Sequence, residues 1–136
     1  MTEPKELLQK WIDAFNAHDI DGLVECYDED AINFQVAAGQ PVIGLVKIRE
    51  DFESFFSAFP DTYANAENLM GDGDWAAWEW LGGGTMTGEF LGMEPTGQSY
   101  QLRGCGFFEY ENEKIILQRG YWDKETWFSQ IGIDLQ

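Results

Sequence analysis

The stretch IILQRGYWDKETW, residues 115–127, reads as a β-strand running straight into a helix. Ile115, Ile116 and Leu117 open the strand, Tyr121 and Trp122 close it, and Gly120 stands in its interior. Glycine suits a strand interior poorly, because it loses the most backbone entropy on ordering and packs no side chain. The same interruption recurs upstream in LRGCGFFEY, with Gly104 and Gly106, and in EWLGGGT, with Gly82, Gly83 and Gly84. Glycines repeated inside aromatic-rich strands imply a sheet face on which room has been left.

Working outward from that strand, the second half of the chain is β. Strand signals run near Tyr63 to Leu69, from about Trp75 to Thr87, from Ser99 to Tyr110 and from Lys114 to Trp122. The GDGD and ENE turns and the loop FLGMEPTG separate them. The first half is helical. Leu7, Leu8, Trp11, Ile12 and Phe15 keep i, i+3, i+4 spacing, so a first helix is expected from about Pro4 to Ala17. Asp19 caps a short second helix carrying Leu23, Val24 and Tyr27. Ile32 to Val36 alternates as a short strand, and AAGQPVIG turns the chain. A third helix starts near Leu45, with Ile48, Phe52, Phe55, Phe56 and Phe59 on its apolar side, and Pro60 stops it. A last short helix carries Trp127, Phe128 and Ile131. Helices followed by consecutive strands predict one α+β domain over residues 1–136, a curved antiparallel sheet wrapped around three N-terminal helices. Each helix offers one apolar face, so the sheet must curl around them and leave an open-mouthed cavity between its concave face and the helices.

Composition bounds what that cavity serves. The 136 residues are 44% hydrophobic and 15% aromatic, with six Trp, which is more aromatic surface than a small core needs. An apolar ligand cavity and a subunit interface are the two outlets for the surplus. Eight Lys and Arg against 25 Asp and Glu give a formal charge of −17, which would repel nucleic acid and anionic membranes. The start of the chain has no basic and apolar leader, and no apolar run approaches the roughly 20 residues of a membrane span, so a cytoplasmic protein is expected. Cys26 and Cys105 are too few for a disulfide framework, and a single His leaves no His and Cys metal cluster, so no metal is expected.

Three pieces carry a family likeness: FNAHDIDGLVECYDEDA at the front, GTMTGEFLGMEPTG in the middle and KIILQRGYWDKETWFSQIG at the end. With the order of elements, they resemble the SnoaL-like polyketide cyclases over nearly the whole chain. These share a cone-shaped fold with ketosteroid isomerases, limonene epoxide hydrolases and nuclear transport factor 2. The resemblance implies that fold, and a bulky, largely apolar, polyketide- or steroid-like ligand. If the protein is an enzyme, it implies cofactor-free cyclase, isomerase or dehydratase chemistry. It also aligns the family's acid/base aspartate with Gly120, and a glutamine and a histidine of the preceding strand with Gly104 and Gly106. Asn33 matches a polar cavity residue. The ketosteroid isomerases' general base falls on Gln35 and their oxyanion-hole tyrosine on Trp11. The epoxide hydrolases' Arg and Asp on the long strand fall on Trp80 and Gly82. With the acids replaced, a non-catalytic ligand-binding or partner-interaction module is the alternative reading.

Strand parity gives a site without the family. Side chains two apart share a face. With Gly120 inward, Ile116, Gln118 and Trp122 face the cavity, as do Leu102, Gly104, Gly106 and Phe108, and Trp78, Trp80 and Gly82. The expected cavity is wide at the glycines, walled by Trp11, Phe15, Trp78, Trp80, Phe108 and Trp122, with amides at Asn33, Gln35 and Gln118. These amides, with Asp123, are the catalytic candidates, although Asp123 is also placed to cap the last helix. Tyr27 and Tyr63 are candidate hydroxyl donors, and His18 suits a helix C-terminus electrostatically. Arg103, Cys105, Phe107, Arg119 and Tyr121 share the outer face, where pairing with a second copy would form a homodimer.

Overall fold

Leu8, Trp11 and Ile12 are the buried face of α1 (Pro4–Asn16), which has Pro4 in its first turn. Asp19 accepts from the Gly22 amide and so caps α2 (Ile20–Glu25), whose Leu23 is buried. Strand β1 (Tyr27–Gln35) and the two-residue β2 (Val42–Ile43) follow, and α3 (Leu45–Ala58) buries Ile48, Phe52 and Phe56. Then come β3 (Tyr63–Asp72), β4 (Trp75–Thr85), β5 (Ser99–Glu111), β6 (Lys114–Trp122) and α4 (Lys124–Ile131). The computed structural model describes residues 2–134. No helix among them is long and apolar enough to cross a membrane.

The strands form one sheet in the order β2-β1-β6-β5-β4-β3. It is mixed, which corrects the expected antiparallel sheet: β1 runs parallel to β6. The β3–β4 and β5–β6 pairs are hairpins across short turns and must be antiparallel. No turn joins β1 to β6, which are far apart in sequence, so local turn chemistry does not set their direction. Strand β1 is also longer than expected, and β2 lies inside the stretch AAGQPVIG, where the sequence predicts a turn.

Parity holds on β4 and β5, where Trp78 and Phe108 are buried on the inner face. On β6 it fails at one place. Glu109 pairs with Leu117 but Tyr110 pairs with Ile115, so one extra residue bulges out of β6. Below the bulge the faces exchange: Ile115 is fully buried, and Ile116, expected to face the cavity, is not the inward residue.

The glycines are not open space. Trp80 stands opposite Gly104, Trp78 opposite Gly106, and Gln35 opposite Gly120. A Cβ on Gly104 would fall within the Trp80 indole, 2.8 Å from Cε2 and 2.8 Å from the Tyr121 carbonyl oxygen. At Gly106 it would meet Trp78 Nε1 at 3.0 Å, and at Gly120 the Gln35 side chain, 2.7 Å from Cδ. None of the three has positive φ, so close approach and not backbone shape requires them. The room left by each glycine is taken by a large side chain of the neighbouring strand, which corrects the expected widening of the cavity. Gly104→Ala should therefore destabilise by about 1–3 kcal/mol, because indole and carbonyl are rigid obstacles. Gly120→Ala should cost less, since the end of Gln35 can swing aside. Chemical denaturation of both variants checks the order, and a Gly104→Ala protein as stable as the parent contradicts the packing argument.

Candidate functional site

Two apolar clusters flank a cavity of about 730 Å³. One cluster joins α1, α2 and α3 to the inner sheet face through Trp11, Phe52, Trp78 and Phe108. The other gathers Phe59, Tyr100, Leu102, Trp127 and Phe128 around α4. Trp80 and Phe55 pack against both, so the cavity lies where the clusters meet. Its walls are mostly rings: Trp11 stacks on Phe15 at 5.4 Å, and Trp122 meets Trp127 edge-on at 5.1 Å. The volume is in the range of small-molecule pockets.

Polar groups enter this wall from β1 and β6. Asn33 and Gln118 are paired across the two strands, and Gln35 is paired with Gly120. The Trp11 indole N–H donates to the Tyr27 hydroxyl at 2.9 Å, and Tyr27 donates in turn to Gln118 Oε1. The Trp122 indole donates to Gln35 Oε1 at 2.8 Å, and Gln35 Nε2 donates to Asn33 Oδ1 at 2.8 Å. Burial pushes the Tyr27 phenol well above its ordinary value, so it stays a neutral donor. Burial also pushes the Tyr100 phenol, hydrogen-bonded to Thr62, up to about 12.

The structure brings Asn33, Gln35 and Gln118 together on the cavity wall, with Trp11, Phe15, Trp78, Trp80, Gly106, Gly120 and Trp122. Tyr27 and Phe108 are buried behind that wall, and Gly104 lies beneath the Trp80 ring. Asp123 lies elsewhere. It is exposed at the start of α4, where it accepts from the Thr126 amide at 2.9 Å and from the Thr126 hydroxyl. The Tyr63 ring lies over Gly83. His18 binds the Thr62 carbonyl oxygen and stacks on Phe56 at 4.5 Å. Sequence reasoning did not assign Phe52, Phe55, Phe90, Trp127 or Phe128 to the cavity, all of which border it. The apolar faces of α3 and α4 were legible, but not that both turn toward one space. Among the described residues the carboxylates bordering the cavity are Asp51 on α3 and Glu89 in the β4–β5 loop. Burial, then the Glu50 charge, holds the Asp51 carboxyl above its ordinary value, against Lys47.

The model of the SnoaL-like polyketide cyclase family matches residues 5–131. The chain belongs to that family. Solved structures agree on the fold. A Jannaschia sp. CCS1 protein described as a SnoaL-like polyketide cyclase superposes with TM-score 0.85 at 22% identity, over 98% of this chain and 95% of that one. IdmH of Streptomyces antibioticus, described as a polyketide cyclase, gives 0.80 at 23%, over 97% and 100%. A Catenulispora acidiphila protein of ketosteroid isomerase-like fold, in complex with trimethylamine, gives 0.82 at 16%, over 98% and 96%. No curated protein sequence matches.

In this SnoaL-like protein the Gln35 side chain lies against Gly120, and the nearest carboxylate in sequence, Asp123, serves a helix end. The Thr126 hydrogen bonds hold Asp123 below its ordinary value. Its capping is therefore complete above the unfolded carboxylate pKa and fades as pH falls through the lowered folded one. Asp123→Asn should change the melting midpoint little and Asp123→Ala more, since Asn caps nearly as well as Asp. Parallel melts near neutral pH and in acid check this. A folded Asp123→Asn protein that had lost its ligand affinity would place Asp123 in the site.

Proposed function

We propose that this SnoaL-like protein binds a bulky, flat, largely apolar small molecule of polyketide or steroid size in the cavity between its two aromatic clusters. The observation that carries the reading is the wall itself: stacked indoles and phenyls around about 730 Å³, interrupted by one patch of side-chain amides. Planar rings suit such a wall, and the amides at Asn33, Gln35 and Gln118 give an oriented contact. Amides exchange protons poorly near neutral pH. Cyclase- or isomerase-type chemistry here would rest on polarisation by those amides and on the acidity of the ligand itself, without a cofactor. The neutral patch favours binding over rapid acid–base turnover.

The outer sheet face supports self-association. Phe107 and Tyr121 meet edge-on at 6.0 Å and are 39% and 41% exposed, and Arg119 lies over Trp75 at 5.5 Å. A second copy laid on this face would bury the rings and form a homodimer.

Titration with a hydroxyanthraquinone and with a steroidal enone should quench or shift the tryptophan fluorescence saturably, and Trp78→Phe or Trp80→Phe should reduce the response. Silence toward both probes in the parent protein rejects the pocket. Light scattering at micromolar concentration should report a dimer that Tyr121→Glu weakens. A monomer rejects the dimer, and a dimer indifferent to Tyr121→Glu moves its interface.

A further inference from the structure

An indole N–H can donate a hydrogen bond but cannot accept one. That fact fixes the direction of both polar chains on the cavity wall. Because Trp11 donates to the Tyr27 oxygen, the Tyr27 proton is free to go to Gln118, and Gln118 must turn its carbonyl oxygen toward it. Its NH2 group is then left over. Because Trp122 donates to Gln35 Oε1, Gln35 must offer its NH2 to Asn33, which answers with its carbonyl oxygen. The NH2 of Asn33 is then left over in the same way. Neither leftover NH2 has a hydrogen-bond partner among the described residues, and neither is sealed from the cavity as a buried unsatisfied group. Asn33 and Gln118 are direct partners across β1 and β6, so both side chains rise from neighbouring positions on one sheet face. Gln35 makes one bond at each end of its amide, to Trp122 and to Asn33, and so holds Asn33 in this orientation.

Resting on the pocket reading above, we propose that Asn33 and Gln118 form a site whose free groups are N–H donors, and that it selects ligands by an acceptor oxygen, a ketone or quinone carbonyl or an enolate, over a hydroxyl donor. Tyr27, Trp11, Gln35 and Trp122 are positioning residues: each acts by denying an amide the freedom to turn round. A carbonyl oxygen has two lone pairs and takes both N–H donors. An alcohol oxygen accepts from the same donors, but its proton meets only amide oxygens that Tyr27 and Gln35 already engage, which costs affinity relative to the ketone.

Three matched probes test this: acetylnaphthalene, its hydrocarbon isostere isopropenylnaphthalene, and the alcohol naphthylethanol. The ketone should bind roughly tenfold or more tightly than either, the scale of one or two net hydrogen bonds. Isotope-edited infrared difference spectra should show its bound carbonyl stretch below the value in hexane. In Tyr27→Phe the Gln118 amide is free to turn, so the alcohol should gain on the ketone. A merely structural role for Tyr27 would weaken all three probes alike. Gln118→Leu and Asn33→Leu should each reduce the ketone preference. Equal affinity for ketone and isopropenyl isostere, or a carbonyl stretch unchanged from hexane, overturns the donor site while leaving the pocket standing. Binding of none of the three overturns the pocket reading and this inference with it.

Discussion

The indoles of Trp78 and Trp80 lie over the backbone of the neighbouring strand because Gly106 and Gly104 stand opposite them. A side chain at either glycine would push its indole inward, into the space the cavity occupies. The two rings also pack together at 6.2 Å, and Trp78 meets Trp11 edge-on at 5.6 Å, so α1 is seated on the wall they make. Trp80 continues the same wall into the cluster around α4. Cavity width, helix seat and the link between the clusters all follow from one fit of large against small.

Little else competes with that packing. The ion pairs among the described residues are Arg49 with Asp21 and Glu53, and Arg103 with Glu67, all on exposed side chains. Exposed pairs contribute about 0–1 kcal/mol each. With a formal charge of −17 the surface is self-repelling, and the aromatic interior must outweigh it. Indoles do double duty there. Trp11 and Trp122 are apolar wall and hydrogen-bond source at once, and each anchors a chain of neutral groups whose polarity it dictates. A patch built this way presents donors without presenting charge, which is the affordable form of polarity in a wall of rings.

Much of the fold was legible in the chain because it rests on local periodicity. The 3.6 spacing of Leu8, Trp11 and Ile12, the Asp19 and Asp123 caps and the stop at Pro60 act within a few residues of where they are read. The β6 bulge was not legible: LQRG alternates without a break, and only pairing against Tyr110 shows that Ile115 and not Ile116 turns inward. The parallel seam between β1 and β6 was hidden for the same reason, since no local turn joins the two strands.

The sequence by itself determined that amides and glycines, not carboxylates, would stand on the inner faces of the last strands, because side-chain alternation along a strand is a local property. It could not say what lies across from each. Whether a glycine leaves a void or receives a ring depends on register, and register is set by distant strands meeting. The tertiary structure laid Trp80, Trp78 and Gln35 over the three glycines, and it drew Tyr27 beneath Gln118. It thereby decided which way the amides point, because the direction of a hydrogen-bond chain is fixed by the donor at its far end, and here that donor arrives from another element of the fold.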